Sequence, residues 1–299
     1  MSTSFTKVRK RFSRIFLVLF TKTIGPFARL LPYPVAVAAG GMLGSLSYHL
    51  LPRERKRALA HLALAFPDRG SSWIKRTARK TFVHLGKALM ETVAITPRRM
   101  TAVVNTQGLE NIQTALDRRK GIVYFTGHIG NWELMAGAVA RSFPVSVVAA
   151  PLEPEPVNEM IVRLRNRMGV KTILRNRPGA AKELIRIFRE NRILGILIDQ
   201  DTDVEGAFVD FMGRPAWTPT AAAQMAIKFG APVLFGYIQR TDDDRHTITI
   251  EGPLDLARTG NDEEDIRTNT AMFTKKIEEV IRRTPEQWVW MHRRWRRQP

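Results

Sequence analysis

The sequence predicts an α/β fold: a mostly parallel central sheet covered by helices on both faces, preceded by an apolar N-terminal helical segment that associates with a membrane. Two observations carry that expectation. Short apolar runs alternate along the chain with longer stretches whose apolar residues recur at helical spacing, the pattern of repeated βα units. Several of the short runs, residues 193–198 among them, are continuously apolar, as strands covered on both faces are. At 299 residues, 44% hydrophobic and 25% charged, the chain has the size and composition to bury one large core.

Taken in order, the chain begins with five basic residues between Lys7 and Arg14, followed by an apolar run at residues 15–20. Residues 30–51 contain no Asp, Glu, Lys or Arg. Their length matches the roughly 20 residues that cross a bilayer. Pro32, Pro34, Gly40, Gly41, Gly44, Ser45, Ser47 and His49 nevertheless dilute the apolar character. A helix at residues 35–50 buried against the core is one reading. The expectation adopted is an interfacial segment, with basic residues at the headgroups and apolar residues just beneath. Arg14, Lys22 and Arg29 interrupt the apolar stretch, which argues against a cleaved signal peptide. The chain is therefore divided into a membrane-associating segment, residues 1–52, and an α/β domain, residues 53–299.

Within that domain the pattern predicts a helix over Ser71–Ala94 with Ile74, Ala78, Phe82, Leu85 and Leu89 as its core stripe. Strands follow at residues 103–107, 122–125, 145–149, 170–174, 193–198, 233–239 and 247–251. Helices are expected at residues 111–120, 132–141, 158–168, 179–190, 220–229 and 263–283.

The most informative stretch is residues 121–138. The strand ends at Thr126-Gly127, His128 follows, and Gly130-Asn131 leads into a helix with Glu133 in its first turn. Asn131 is a good N-cap, and the glycines permit a sharp turn. With His128 in the turn and Glu133 on the helix, the carboxylate is expected to hold one ring nitrogen while the other faces a hydroxyl, the arrangement of a catalytic base. The plainer reading is a structural histidine beside Trp132 and a glutamate favouring a helix start. Asp199, ending an apolar strand, calls for a partner of its own. His128, Asp199 and Arg240 all lie just past the carboxyl ends of predicted strands, where ligands bind in such sheets.

Cysteine is absent, and the six histidines are scattered with no His-Glu-x-x-His. Disulfides and thiolate metal sites are excluded, and neither metal nor redox cofactor is expected. Lys+Arg number 47 against 28 Asp+Glu, a net charge of +19, which attracts polyanions. No nucleic-acid motif accompanies the basic clusters, so a membrane surface or an acidic partner is expected, not nucleic acid.

The wider segment resembles the glycerolipid and lysophospholipid acyltransferase superfamily, whose signature is His-x4-Asp/Glu. Gly127-His128-Ile129-Gly130-Asn131-Trp132-Glu133 looks like the form found in the bacterial lipid A late acyltransferases. Residues 53–67, 165–169, 197–201, 210–216, 229–233 with Arg240, and 285–295 are similar to further blocks in that family's order. His61, Met212, Trp288 and Trp295 depart from its usual residues without touching the His128/Glu133 pair. The resemblance implies transfer of an acyl chain from a thioester, on acyl carrier protein or coenzyme A, to a hydroxyl of a lipid A-type glycolipid. His128 would be the general base and Glu133 its orienting acid. Arg165, Asp199 and Arg240 would line the same pocket, the arginines holding phosphate, and residues 211–216 would shape the acceptor pocket. The place implied is the cytoplasmic face of a bacterial inner membrane. Rival readings are a lysophospholipid or phosphatidylinositol mannoside acceptor, a hydrolase that activates water, and a non-catalytic basic protein on membranes or nucleic acid. The absence of Gly-x-Ser-x-Gly speaks against a serine esterase.

Overall fold

The computed structural model describes residues 28–299. The basic cluster and the apolar run at residues 15–20 lie outside the described residues. Among the described residues, the helices ahead of the sheet include α1 (Tyr33–Leu50), α2 (Pro52–Ala65), α3 (Ser71–Ala94) and α4 (Pro97–Val103). The chain then runs β1 (Val104–Gln107), α5 (Leu109–Leu116), β2 (Ile122–Thr126), α6 (Trp132–Ala140), β3 (Val145–Ala149), α7 (Glu155–Arg167), β4 (Lys171–Leu174), α8 (Ala180–Arg189) and β5 (Ile193–Leu197). A hairpin of β6 (Gly206–Phe211) and β7 (Arg214–Pro219) follows. Then come α9 (Ala221–Phe229), β8 (Val233–Arg240), β9 (His246–Glu251) and α10 (Asp262–Arg283).

Seven strands form one sheet in the order β1-β9-β8-β2-β5-β3-β4, parallel throughout except for β8 against β9. The expected α/β architecture is therefore observed. Alternate residues along β2 enter different cores. Val123 and Phe125 join Leu194, Phe235, Phe273 and Ile277 on one face, while Ile122 and Tyr124 join Ile112, Leu134, Leu234 and Ile250 on the other. Phe125 stacks between Phe235 and Phe273, with ring centroids 5.0 and 4.3 Å away.

Helix α1 crosses α3 where glycines meet. A Cβ on Gly40 would come within 2.5 Å of the Gly86 carbonyl, and one on Gly44 within 2.2 Å of the Phe82 carbonyl. Those glycines, which lower the hydropathy of the segment, are what lets two helix backbones approach. The opposite face of α1 is apolar and exposed, with Val35, Met42, Leu43, Leu46 and Leu50 in solvent, beside Leu30 and Leu31 at its start. No single helix among the described residues is long and apolar enough to cross a membrane; α1 and α2 together have the length and composition, but meet at 92°.

One local expectation is corrected. Leu89 is exposed and Leu85 only half-buried. The inner face of α3 instead carries His84, Ala88, Glu91 and Thr92, spaced i, i+4, i+7 and i+8, because a polar network forms there. Residues 206–219 form the β6–β7 hairpin, whose turn residues Met212 and Gly213 have φ of 59° and 76°.

Candidate active site

Strand β2 delivers the chain to Gly127, and the turn that follows depends on Gly130. Its φ is +61°, and a Cβ there would lie 2.0 Å from the Ile238 carbonyl, so no other residue fits. Asn131 then caps α6, its side chain accepting from the Leu134 amide at 3.1 Å. His128 is thereby held at the carboxyl edge of the sheet, its side chain about one-fifth exposed.

The ring is oriented by Asp199 and not by Glu133. Nδ1 of His128 lies 2.7 Å from Asp199 Oδ1, and the His128 amide donates to Oδ2 at 2.7 Å. The register explains the meeting. β2 and β5 are neighbours, with Thr126 opposite Leu197, so two residues beyond each strand end His128 faces Asp199. A third donor, the Trp288 indole, reaches Asp199 Oδ2 at 2.7 Å. Trp288 is fully buried and bridges to Ile129, and the Gly130 amide donates to Gln287 O at 2.8 Å. The C-terminal segment thus closes the back of the site.

Asp199 is buried. Burial alone raises its pKa, but the charge that His128 carries when protonated and the hydrogen bonds from the His128 ring, the Trp288 indole and the His128 amide outweigh this, leaving it lowered to about 2. The carboxylate is therefore ionised and accepts the Nδ1 hydrogen, which leaves Nε2 as the ring's free lone pair. His292 stands behind this pair. Its pKa is lowered to about 4, mainly by burial, so it remains neutral and adds no competing positive charge near neutrality.

Glu133 instead receives Arg165 of α7 in a two-pronged pair, Nε to Oε2 at 2.8 Å and Nη2 to Oε1 at 2.5 Å. Both side chains are largely shielded, at 13% and 14% exposure. The acid that follows His128 by five positions is thus occupied by an arginine and fixes α6 to α7.

His128, Glu133 and Arg165 line one cleft of about 440 Å³, and Asp199 lies directly behind His128. Most of its wall is apolar, including Trp132, Val147, Leu152, Ile161, Ile196 and Leu197. It adjoins a narrower crevice between α6 and the sheet, lined by Tyr124, Met135, Val139, Val145 and Ile193. Arg175 also lines the cleft, and its side chain makes no hydrogen bond among the described residues. It follows β4 directly, at a strand end, the same signal that marks His128 and Asp199.

Arg240 does not join them. Both its terminal nitrogens donate to Glu91 of α3 at 2.6 Å, and Nη1 also reaches Asp244 at 3.2 Å. The guanidinium is only 7% exposed and Glu91 not at all. Tyr33 Oη at 2.7 Å, His246 Nε2 at 3.0 Å and Asn131 Nδ2 at 3.1 Å also meet Glu91. The reading of Arg240 as a phosphate ligand in the His128 pocket is therefore corrected: its charge is spent on a buried carboxylate. Among the described residues no group of His, Asp and Glu has the arrangement to hold a metal ion.

The chain is 26% identical to the lipid A biosynthesis lauroyltransferase of Escherichia coli over 274 residues, covering 90% of this chain and 88% of that protein. It is 26% identical to the lipid A biosynthesis myristoyltransferase of the same organism, covering 83% and 77%. A shorter match, 31% over 135 residues and covering 42% and 41%, is to a phosphatidylinositol mannoside acyltransferase of Mycobacterium tuberculosis. The sequence model for bacterial lipid A biosynthesis acyltransferases matches residues 5–297, and the chain belongs to that family of acyltransferases.

Proposed function

We propose that this acyltransferase moves a fatty acyl chain from a thioester donor to a hydroxyl of a lipid A-type glycolipid, with His128 as general base. The observation that carries the reading is the pairing of Nδ1 with Asp199, which leaves Nε2 unpaired on an apolar cleft. Nε2 takes the acceptor's hydroxyl proton as the oxygen attacks the thioester carbonyl; the thiolate then leaves and is reprotonated by the imidazolium. Asp199 fixes the tautomer and stabilises the transient positive charge. Glu133 acts one step removed, by positioning Arg165. The N–H groups at the start of α6 are the candidate donors to the oxyanion. The acyl chain occupies the apolar cleft and the crevice beside it. Relatives named as a lauroyltransferase and a myristoyltransferase of lipid A biosynthesis support the acceptor class. The net charge of +19 suits an acidic carrier protein as donor, or the phosphates of coenzyme A.

The test is whether acyl thioester is consumed only when a lipid A precursor is supplied. Acceptor-dependent loss is expected. Equal loss to water alone would mean a hydrolase, and consumption with only a phosphatidylinositol mannoside would move the acceptor to that class.

Arg175 takes the phosphate-holding role that the sequence suggests for Arg240. Arg175→Ala is expected to raise KM for one substrate by roughly tenfold or more, the worth of a charge-assisted contact shared by ground and transition states, with kcat nearly unchanged. Steady-state kinetics with each substrate varied checks this, and an unchanged KM for both would make Arg175 a surface residue.

Residues 1–52 are assigned to contact with the inner membrane at its cytoplasmic face. The exposed apolar face of α1 supports this, since contiguous patches of that kind mark interaction surfaces. The protein is expected to float with phospholipid vesicles, and Met42→Asp with Leu46→Asp to weaken flotation strongly without unfolding the domain. Undiminished flotation of that variant would place the contact elsewhere.

A further inference from the structure

Gly137 and Arg141 stand one and two turns along α6 from Glu133. There a second cavity opens between α6, α7 and the segment joining α3 to α4. It encloses about 430 Å³ and shares no lining residue with the His128 cleft. Its wall is apolar, with Met100, Leu164 and Met168 prominent, and three guanidinium groups line it: Arg29, Arg141 and Arg167. Among the described residues no Asp or Glu lines it. Arg29 donates to the Val93 carbonyl at 3.0 Å, and Arg141 to the Pro97 carbonyl at 2.8 Å and to the Thr101 hydroxyl. These acceptors are neutral. The Arg167 side chain makes no hydrogen bond among the described residues and is exposed. The pKa of Arg29 is lowered, first by burial and then by the like charge of Arg167. Three positive charges therefore share one cavity with no counter-charge among the described residues of its lining.

We propose that this cavity binds an anionic glycerophospholipid of the bilayer, its phosphate held by Arg29, Arg141 and Arg167 and its chain methylenes laid along Met100, Leu164 and Met168. A soluble polyanion would gain nothing from the apolar wall, and an uncharged lipid would leave the three cations uncompensated. Arg29 is followed directly by Leu30 and Leu31, which are exposed and lead into the apolar face of α1, so the cavity lies beside the surface assigned to the membrane. Its volume is that of an ordinary ligand site. Lipid binding here does not depend on acyl transfer at His128.

The experiment is native mass spectrometry of the full-length protein in detergent micelles doped with phosphatidylglycerol or with phosphatidylcholine. Wild type is expected to retain phosphatidylglycerol in preference to phosphatidylcholine. The double variant Arg29→Gln, Arg167→Gln is expected to lose affinity for it by on the order of tenfold or more per arginine. A charge-matched control on exposed α8, Lys182→Gln with Arg189→Gln, should behave as wild type. Arg167→Gln alone serves if the double variant does not fold, because its side chain supports nothing else. Equal loss in pocket and control variants would reduce the effect to the overall basic field and overturn the site. So would retention of both lipids alike. Glycerol phosphate, which lacks chains, should bind far more weakly than phosphatidylglycerol; equal affinity would overturn the lipid assignment.

Discussion

His128→Ala is expected to leave a folded protein that has lost on the order of 10²–10⁴-fold in turnover, the usual worth of a general base. Asp199→Asn is expected to lose a comparable factor, although it removes no atom from the cleft. The two oxygens of Asp199 have different duties. Oδ2 accepts from the His128 amide and the Trp288 indole, and Oδ1 faces Nδ1 of the ring. In asparagine the single oxygen satisfies the two fixed donors, which turns the amide NH2 toward Nδ1. The ring must then accept at Nδ1 and carry its hydrogen on Nε2, so it cannot take a proton from the acceptor. The check is acceptor-dependent thioester consumption in both variants, with circular dichroism and melting temperature confirming the fold. Near wild-type turnover in a folded His128→Ala protein would end the mechanism. Near wild-type turnover in Asp199→Asn would mean that Asp199 only anchors Trp288.

Much of the fold is legible in the amino-acid sequence. Val145–Ala149 and Ser71–Ala94 are bounded as their patterns predict, because a short, mostly apolar run and a helical stripe are local signals. Sequence and structure part where local signals carry no information. Glu133 is near His128 along the chain, whereas Asp199 is 71 positions away and becomes its neighbour only through the pairing of β2 with β5. A strand order is needed to choose between them, and apolar runs do not supply one. The β6–β7 hairpin escapes sequence reading because its turn is Met212-Gly213. Methionine at positive φ is uncommon, and the cue for such turns is Asn-Gly or Asp-Gly. Arg240 is misplaced for a related reason. A basic residue at a strand end reads as a ligand holder unless its counter-charge is known. That counter-charge is Glu91, hidden in the inner stripe of α3, where a lone carboxylate is itself the signal to look for.

The buried pair of Glu91 and Arg240 yields the largest expected effect on stability. Arg240→Ala removes the two-pronged partner of a carboxylate with no solvent exposure. Breaking such a pair from one side typically costs about 3–5 kcal/mol, since the remaining charge is stranded. A fall in melting temperature on the order of 10 °C follows for a chain of this length. Glu91→Ala strands the arginine and is expected to cost as much, and it also releases Tyr33, His246 and Asn131. The double variant should therefore lose clearly less than the sum of the singles. The pH dependence has a definite sign. Burial raises the Glu91 pKa, but hydrogen bonds from His246 and Arg240 and their charges outweigh it, so the carboxyl lies well below its ordinary value of 4.5. A depressed carboxyl stabilises the fold fully above its unfolded pKa, and that contribution is lost as pH falls through the folded value. Wild type should thus lose stability below about pH 4.5, and a protein lacking Glu91 should lose less over the same interval. The measurement is thermal melting of the four proteins between neutral and acid pH, alongside KM for donor and acceptor. An Arg240→Ala protein that melts like wild type but binds a substrate poorly would restore the arginine to the pocket. A steep loss of stability with intact KM keeps it where the geometry has it, locking α3 to β8 beneath Asn131, the cap of α6.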